Sequence, residues 1–170
     1  MTDTIKEAVT YEDAKALSRL AFKIWREHYT PIIGKDQTEY MLENFQSEEK
    51  IFDSMQNGMV YYMVFCDDIL CGYAAAMYTD RDNSVFLSKF YIEKLYRGKG
   101  LSKKLLEKVK NFAYGRKAQS IWLTCNKYNS LALSVYKKLG FEIIDSIETD
   151  IGEGYIMDDY VLEMKLSTSP

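Results

Sequence analysis

Apolar positions along the chain change their period several times, and each change marks an element. Residues 5–9 read as a short strand. Thr10-Tyr11-Glu12-Asp13 has the layout of a capping box, with the threonine hydroxyl placed to accept from the backbone three residues on. Leu17, Leu20, Ala21, Ile24 and Trp25 then recur at helical spacing, which predicts an amphipathic helix over 11–29, ended by Pro31 and Gly34. A second helix is expected around 36–48. Across 59–78 the pattern turns to β, with two aromatic and β-branched runs flanking Asp67-Asp68 as in a hairpin. A third strand is expected at 84–92. The plainest helix is 101–115, with Leu101, Leu105, Leu106, Val109, Phe112 and Ala113 on one face. Residues 120–125 read as a buried strand, and Asn129 opens a helix carrying Leu131, Ala132, Val135, Tyr136 and Leu139. Gly140 supplies a left-handed stop, from which Phe141 can pack back on Tyr136. Two last strands are expected at 141–147 and 157–166.

The resulting order, β-α-α-β-β-β-α-β-α-β-β, predicts an α/β (α+β) fold with a mixed sheet of about seven strands and four main helices. Three consecutive strands in the middle do not fit the repeated βαβ units of a Rossmann domain. There is no repeat or linker, so residues 1–166 are expected to form a single domain and 167–170 a frayed tail.

Composition narrows the classes further. The 170 residues are 47% hydrophobic and 28% charged, which provides a full core and excludes a disordered chain. Lys and Arg number 22 against 25 Asp and Glu, a net charge of −3 without the basic excess of a nucleic-acid binder. No apolar run approaches the ~18 residues that cross a bilayer. Residues 1–7 lack a signal-peptide layout, so the protein is expected in the cytoplasm, bound to neither membrane nor nucleic acid. Cys66, Cys71 and Cys125 have no metal-ligand spacing and read as reduced thiols. With His28 the single histidine, a His-rich zinc site is impossible, and no metal is expected.

The stretch Tyr96-Arg97-Gly98-Lys99-Gly100-Leu101-Ser102-Lys103-Lys104 carries the most chemistry, because it joins a strand to the plainest helix. Glycines let a ligand approach the backbone, and the first helical N–H groups have no partners inside the helix. Together with the helix dipole they make an anion site, beside which Arg97, Lys99, Lys103 and Lys104 place four positive charges. The bland alternative is a helix-entry turn with solvated lysines. A Walker loop fails, since Glu93 stands where its first glycine belongs and Gly100 where Ser or Thr belongs. A dinucleotide fingerprint fails at Lys103.

Arg97-x-x-Gly100-x-Ser102 resembles the pyrophosphate loop of the GNAT superfamily of N-acetyltransferases, with Ser102 where glycine or alanine is more usual. Asn129-x-x-Ala132-x-x-x-Tyr136-x-x-x-Gly140-Phe141 resembles that family's second signature, and the element order agrees over nearly the whole chain. The turn before Ile156-Met157-Asp158 is similar to that of bacterial spermidine/spermine acetyltransferases.

The resemblance implies acetyl-CoA as co-substrate and a set of roles. Backbone from Phe90 through Tyr91 to Ile92 would pair with the pantetheine arm, and N–H groups of Gly98, Lys99, Gly100, Leu101, Ser102 and Lys103, beside Arg97, would hold the pyrophosphate. Asn129 and Ala132 would meet the pantetheine, and Tyr136 would be the general acid for the leaving thiolate. On the residues alone, Asn129 is equally a helix N-cap and Tyr136 a packing partner of Phe141. No acid stands among Phe86, Leu87, Ser88 and Lys89, where some relatives carry a general base. His28 and Tyr29 end the helix that borders the acceptor cleft in relatives, although His28 also lies on that helix's packing face. Glu148, Asp150, Glu153, Asp158 and Asp159 form an acidic run at the last hairpin. That run points to a small cationic amine such as a polyamine, unless it is simply a solvated loop. The expected function is acetyl transfer to a primary amine. A non-catalytic acyl-CoA-binding regulatory module is the alternative, and the resemblance makes a homodimer a common state.

Overall fold

A computed structural model describes residues 1–80 and 82–167. The expected frayed tail therefore falls, from residue 168 on, outside the described residues. Seven strands form one mixed sheet in the order β1-β2-β3-β4-β5-β7-β6. They are β1 (Asp3–Glu7), β2 (Val60–Cys66), β3 (Ile69–Thr79), β4 (Ser84–Ile92), β5 (Ser120–Asn126), β6 (Glu142–Gly152) and β7 (Tyr155–Lys165). The helices are α1 (Tyr11–His28), α2 (Thr30–Ile33), α3 (Lys35–Phe45), α4 (Glu48–Gln56), α5 (Leu101–Gly115) and α6 (Ser130–Leu139).

The strand count, the hairpin, α5 and α6 follow the sequence reading. The helices before β2 do not, since four stand where two were expected. Pro31 sits in the first turn of α2 rather than merely ending α1, because proline lacks only an N–H that a first turn cannot use. The expected helix at 36–48 is α3, which stops at Phe45, and Ser47 then caps a separate α4 by accepting from Lys50 N. The hairpin strands β6 and β7 are each 11 residues long, so their turn is narrower than the gap expected between 147 and 157.

Two compact units make up the chain. The first comprises Met1–Met77 and Lys89–Val109. Thr10 caps α1 there through the expected reciprocal box with Asp13. Leu17, Ala21 and Ile24 bury the inner face of α1, and Leu42, Ile51, Met63 and Tyr73 belong to the same unit's core. A buried polar chain crosses this core. Ser18 Oγ donates to the Gln46 carbonyl (2.7 Å), and Tyr73 Oη donates to Gln46 Oε1 (3.3 Å). Gly72 lets β3 pass close to β4, since a Cβ there would lie 2.7 Å from the Tyr91 carbonyl oxygen.

Tyr78–Ser88 and Lys110 onward form the second unit. Parallel pairing of β4 on β5 runs from Ser84↔Ser120 to Phe86↔Trp122, and the Phe86 and Trp122 rings stack at 4.3 Å. β7 pairs antiparallel with β5 from Ser120↔Lys165 to Asn126↔Asp159. Ile121, Leu123, Phe141 and Leu162 are among its largest fully buried side chains. Gly140 ends α6 at φ 107°, and Phe141 N donates to the Tyr136 carbonyl (3.0 Å), closing the expected left-handed cap.

Candidate active site

The loop in the first unit has backbone geometry of the kind an anion site needs. Residues Lys94–Tyr96 make one 3-10 turn, and Arg97 then braces the loop, its Nε donating to the Ile92 carbonyl at 3.0 Å. Gly98 and Gly100 both have φ of 78°, which L side chains rarely adopt. A Cβ at either would meet nothing within 4 Å, so backbone conformation demands these glycines and open space lies over them. α5 begins at Leu101, which leaves its first N–H groups free of helical partners at that open space. Only the backbone of Leu101 is available there, because its side chain is buried in the core. Lys99 lies against the Tyr96 ring (5.4 Å), and Lys104 is paired with Asp3 Oδ2 (2.6 Å). Lys103 is exposed.

Other expected residues of this unit gather around β4. Tyr91 meets Tyr73 at 5.4 Å, Trp25 at 5.9 Å and Tyr29 at 6.5 Å between ring centres. Trp25 stacks on Tyr29 at 4.2 Å, and His28 stands edge-on to Tyr29 at 4.9 Å. His28 and Tyr29 are half-buried in an aromatic cluster that also holds Tyr91. Phe90 lies on the opposite face of β4 from Lys89 and Tyr91.

Lys89 is a buried lysine that sequence reasoning passed over as merely not an acid. Its Nζ donates to the Phe45 carbonyl (3.2 Å) and to Tyr61 Oη (2.9 Å). Phe45 is the last residue of α3, so the ammonium caps a helix C-terminus. Burial pulls the Lys89 amine down to about 7 and pushes the Tyr61 phenol up to about 12. Nearby, Glu93 is buried and ion-paired with Lys23.

In the second unit, α6 carries Asn129, Ala132 and Tyr136 as expected. Asn129 is 2% exposed and its Oδ1 accepts from Ala132 N at 3.3 Å, which is the N-cap role. Tyr136 is half-buried, its ring edge-on to Phe141 at 5.8 Å. Glu153 stands at the exposed tip of the β6–β7 hairpin in a left-handed conformation (φ 54°) between Gly152 and Gly154. The acidic run is therefore not a single patch. Glu148 faces Asp158 across the strands, and Lys127 Nζ meets Asp158 Oδ1 at 2.7 Å. Cys125 is buried, and burial with the nearby Asp159 charge pushes its thiol up to about 12. A thiol so protonated is a poor nucleophile. Among the described residues no three His, Cys, Asp or Glu side chains group as metal ligands, and no helix is long and apolar enough to cross a membrane.

The mixed seven-strand sheet with a glycine-opened loop at the start of α5 is a fold this chain shares with solved acetyltransferases. The acetyltransferase (GNAT) family matches residues 20–141, and the chain belongs to that family. N-acetylaspartate synthetase of Xenopus tropicalis is 29% identical over 129 residues, 76% of this chain and 48% of that protein. A probable spermine N(1)-acetyltransferase of Bacillus subtilis subsp. natto is 37% identical over 67 residues, 37% of this chain and 44% of that protein. The chain thus spans about half the length of the curated relatives it matches. Among solved structures, the PaiA N-acetyltransferase of Thermoplasma acidophilum in complex with coenzyme A aligns with a TM-score of 0.83. That alignment has 23% identity and covers 98% of this chain and 100% of the other.

Proposed function

We propose that the chain is an acetyl-CoA-dependent N-acetyltransferase acting on a primary amine, with a polyamine or another small cationic amine as the favoured acceptor. The observation that carries this reading is the loop from Arg97 to Lys103, where two left-handed glycines open onto empty space at the start of α5. That geometry fits a pyrophosphate: the first N–H groups of α5 lack helical partners, the helix dipole is favourable, and nothing lies within 4 Å of a Cβ at either glycine.

Acetyl-CoA would supply an acetyl group already activated as a thioester. Backbone N–H groups of Gly98 to Lys103 would hold its pyrophosphate, with Arg97 keeping the loop in shape through the Ile92 carbonyl. Phe90 to Ile92 would align the pantetheine arm as an added strand, and Asn129 with Ala132 at the start of α6 would meet its amides. Tyr136 Oη would give its proton to the departing sulfur. Such a general acid would act as negative charge develops on sulfur, which is a transition-state role. Cys125, kept as a thiol by burial, makes direct transfer to the amine the simpler route. His28, Tyr29 and Glu153 are proposed acceptor contacts, and the cytoplasm is the proposed location.

Part of the chain matches a relative named for spermine, which agrees with a cationic acceptor. The test is thiol release from acetyl-CoA against spermidine, amino acids, aminoglycosides and peptide N-termini. Turnover is expected with a polyamine, its KM rising with ionic strength as charge attraction is screened. Turnover confined to neutral or anionic acceptors would overturn the cation preference, and none with any amine would overturn the enzyme reading.

A further inference from the structure

Amine acetylation needs a proton acceptor, since a cationic amine arrives as R–NH3+ and only R–NH2 has a lone pair to offer. No acid occupies Phe86 to Lys89 on β4, and Lys89 is committed to the Phe45 carbonyl and Tyr61. The second unit holds a different candidate. Asp159 is 6% exposed, and its Oδ1 is fully buried without a hydrogen-bond partner. Buried carboxylate oxygens normally have a partner, so an orphaned one is a candidate contact for an incoming group. Asp159 sits opposite Asn126, the last residue of β5, and the chain runs from there directly to Asn129 at the start of α6. Cross-strand partners share a face and neighbours along a strand alternate, so Asp159 lies on the face away from Met164, whose Cε approaches Gly140 at the end of α6.

We propose that Asp159 is the general base of the transfer, its Oδ1 accepting the proton of the acceptor ammonium at the end of β5. The proposal rests on the acetyltransferase reading above. Asp159 takes one proton from R–NH3+, the nitrogen lone pair forms the new N–C bond, and the C–S bond breaks. Tyr136 protonates the sulfur and is restored by the second proton leaving nitrogen. Asp159 then returns its proton to solvent, for a net release of one proton per turnover.

The surroundings suit a base that works near neutrality. Burial and then the neighbouring Asp158 raise the Asp159 carboxyl to about 6, while Lys127 works in the opposite sense. The other titratable groups around it are Cys125 on β5 and Glu148 on β6, the latter facing Asp158, whereas its own cross-strand partners Asn126 and Ile147 are neutral. A carboxylate at such a value is ionised at pH 7 yet binds a proton far better than an exposed one.

Two measurements test this. The first is a carbon-13 NMR titration of the Asp side-chain carboxyls in the cofactor-free protein, with Asp159→Asn to assign the signal. Asp159 should titrate near 6, and a midpoint near the ordinary 4 would overturn the proposal. The second is the pH profile of kcat/KM. The wild type should lose activity below about pH 6. Asp159→Asn should lose roughly 10²–10⁴-fold and that acid limb, with acetyl-CoA affinity unchanged, and Asp159→Glu should recover part of the rate. Removing a buried charge should not lower the melting temperature of Asp159→Asn. A folded Asp159→Asn variant with near-normal rate, or with the acid limb intact, overturns the base role alone. A wild type that binds acetyl-CoA but acetylates nothing overturns the acetyltransferase reading and the base with it.

Discussion

The loop at Arg97–Lys103 and the strand end at Asp158–Asp159 handle charge in opposite ways. The loop is exposed, its lysines are in water or lightly paired, and the recognition proposed for it rests on backbone N–H groups beside two left-handed glycines. At the strand end the proposed base is one buried carboxylate oxygen, while Asp158 beside it is ion-paired with Lys127. Backbone recognition depends on conformation, so it leaves a spacing pattern in the sequence. Recognition by a buried side chain depends on what covers that side chain, and no spacing records it. Lys89 sharpens the contrast. It is as buried as Asp159, but both of its described partners are neutral oxygens of its own unit, so it serves the fold rather than an incoming ligand.

The largest expected effect that bears on this contrast comes from Tyr136→Phe. The phenol edge on Phe141 survives the change, so folding should too. Turnover should fall about 10²–10⁴-fold with acetyl-CoA affinity nearly unchanged, measured by steady-state kinetics and calorimetry. Near-normal turnover would return Tyr136 to a packing role.

Within the loop, the lysines should not be equivalent. Lys103→Ala should weaken acetyl-CoA binding about three- to tenfold at low salt, and the loss should shrink as salt is added. Lys104→Ala should do less, because Lys104 is already held by Asp3. Equal losses would mean that general field, rather than position at the helix start, attracts the phosphates.

A separate effect, on stability rather than on binding or turnover, concerns Lys89. Its folded value near 7 lies below the ordinary ~10.4 of an unfolded lysine. Between those values the unfolded chain holds a proton that the folded chain has released, so stability rises with pH. Below pH 7 both states hold it and the contribution levels off at its least favourable. The urea-unfolding stability of wild type relative to Lys89→Met should therefore climb from pH 7 to 9.5, by at most ~1.4 kcal/mol per pH unit. A pH-independent difference would show that the ammonium is solvated.

Much of the architecture was legible because it is written in period and punctuation. Thr10 with Asp13, the Asp67-Asp68 turn, the apolar face of α5 and the Gly140 stop each act over a few residues. The helices before β2 were harder, since Pro31 and Ser47 start new helices as readily as they end old ones. At the candidate site, the loop was legible from Arg97, Gly98 and Gly100. Asp159 was visible only as one of several acids, for its burial in the middle of three paired strands depends on residues distant in sequence. Glu153 was grouped with it by proximity in sequence, yet the hairpin carries Glu153 to an exposed tip.

The most direct test of the account is calorimetric titration of acetyl-CoA into the wild type and into Gly100→Asp. Position 100 combines a left-handed backbone with open space above it, so the variant places a carboxylate where the proposed phosphate would sit. The wild type should bind, and a folded Gly100→Asp protein, checked by its melting curve and circular dichroism, should show no measurable binding. Equal affinity in the two proteins would contradict the assignment of this loop as the cofactor site.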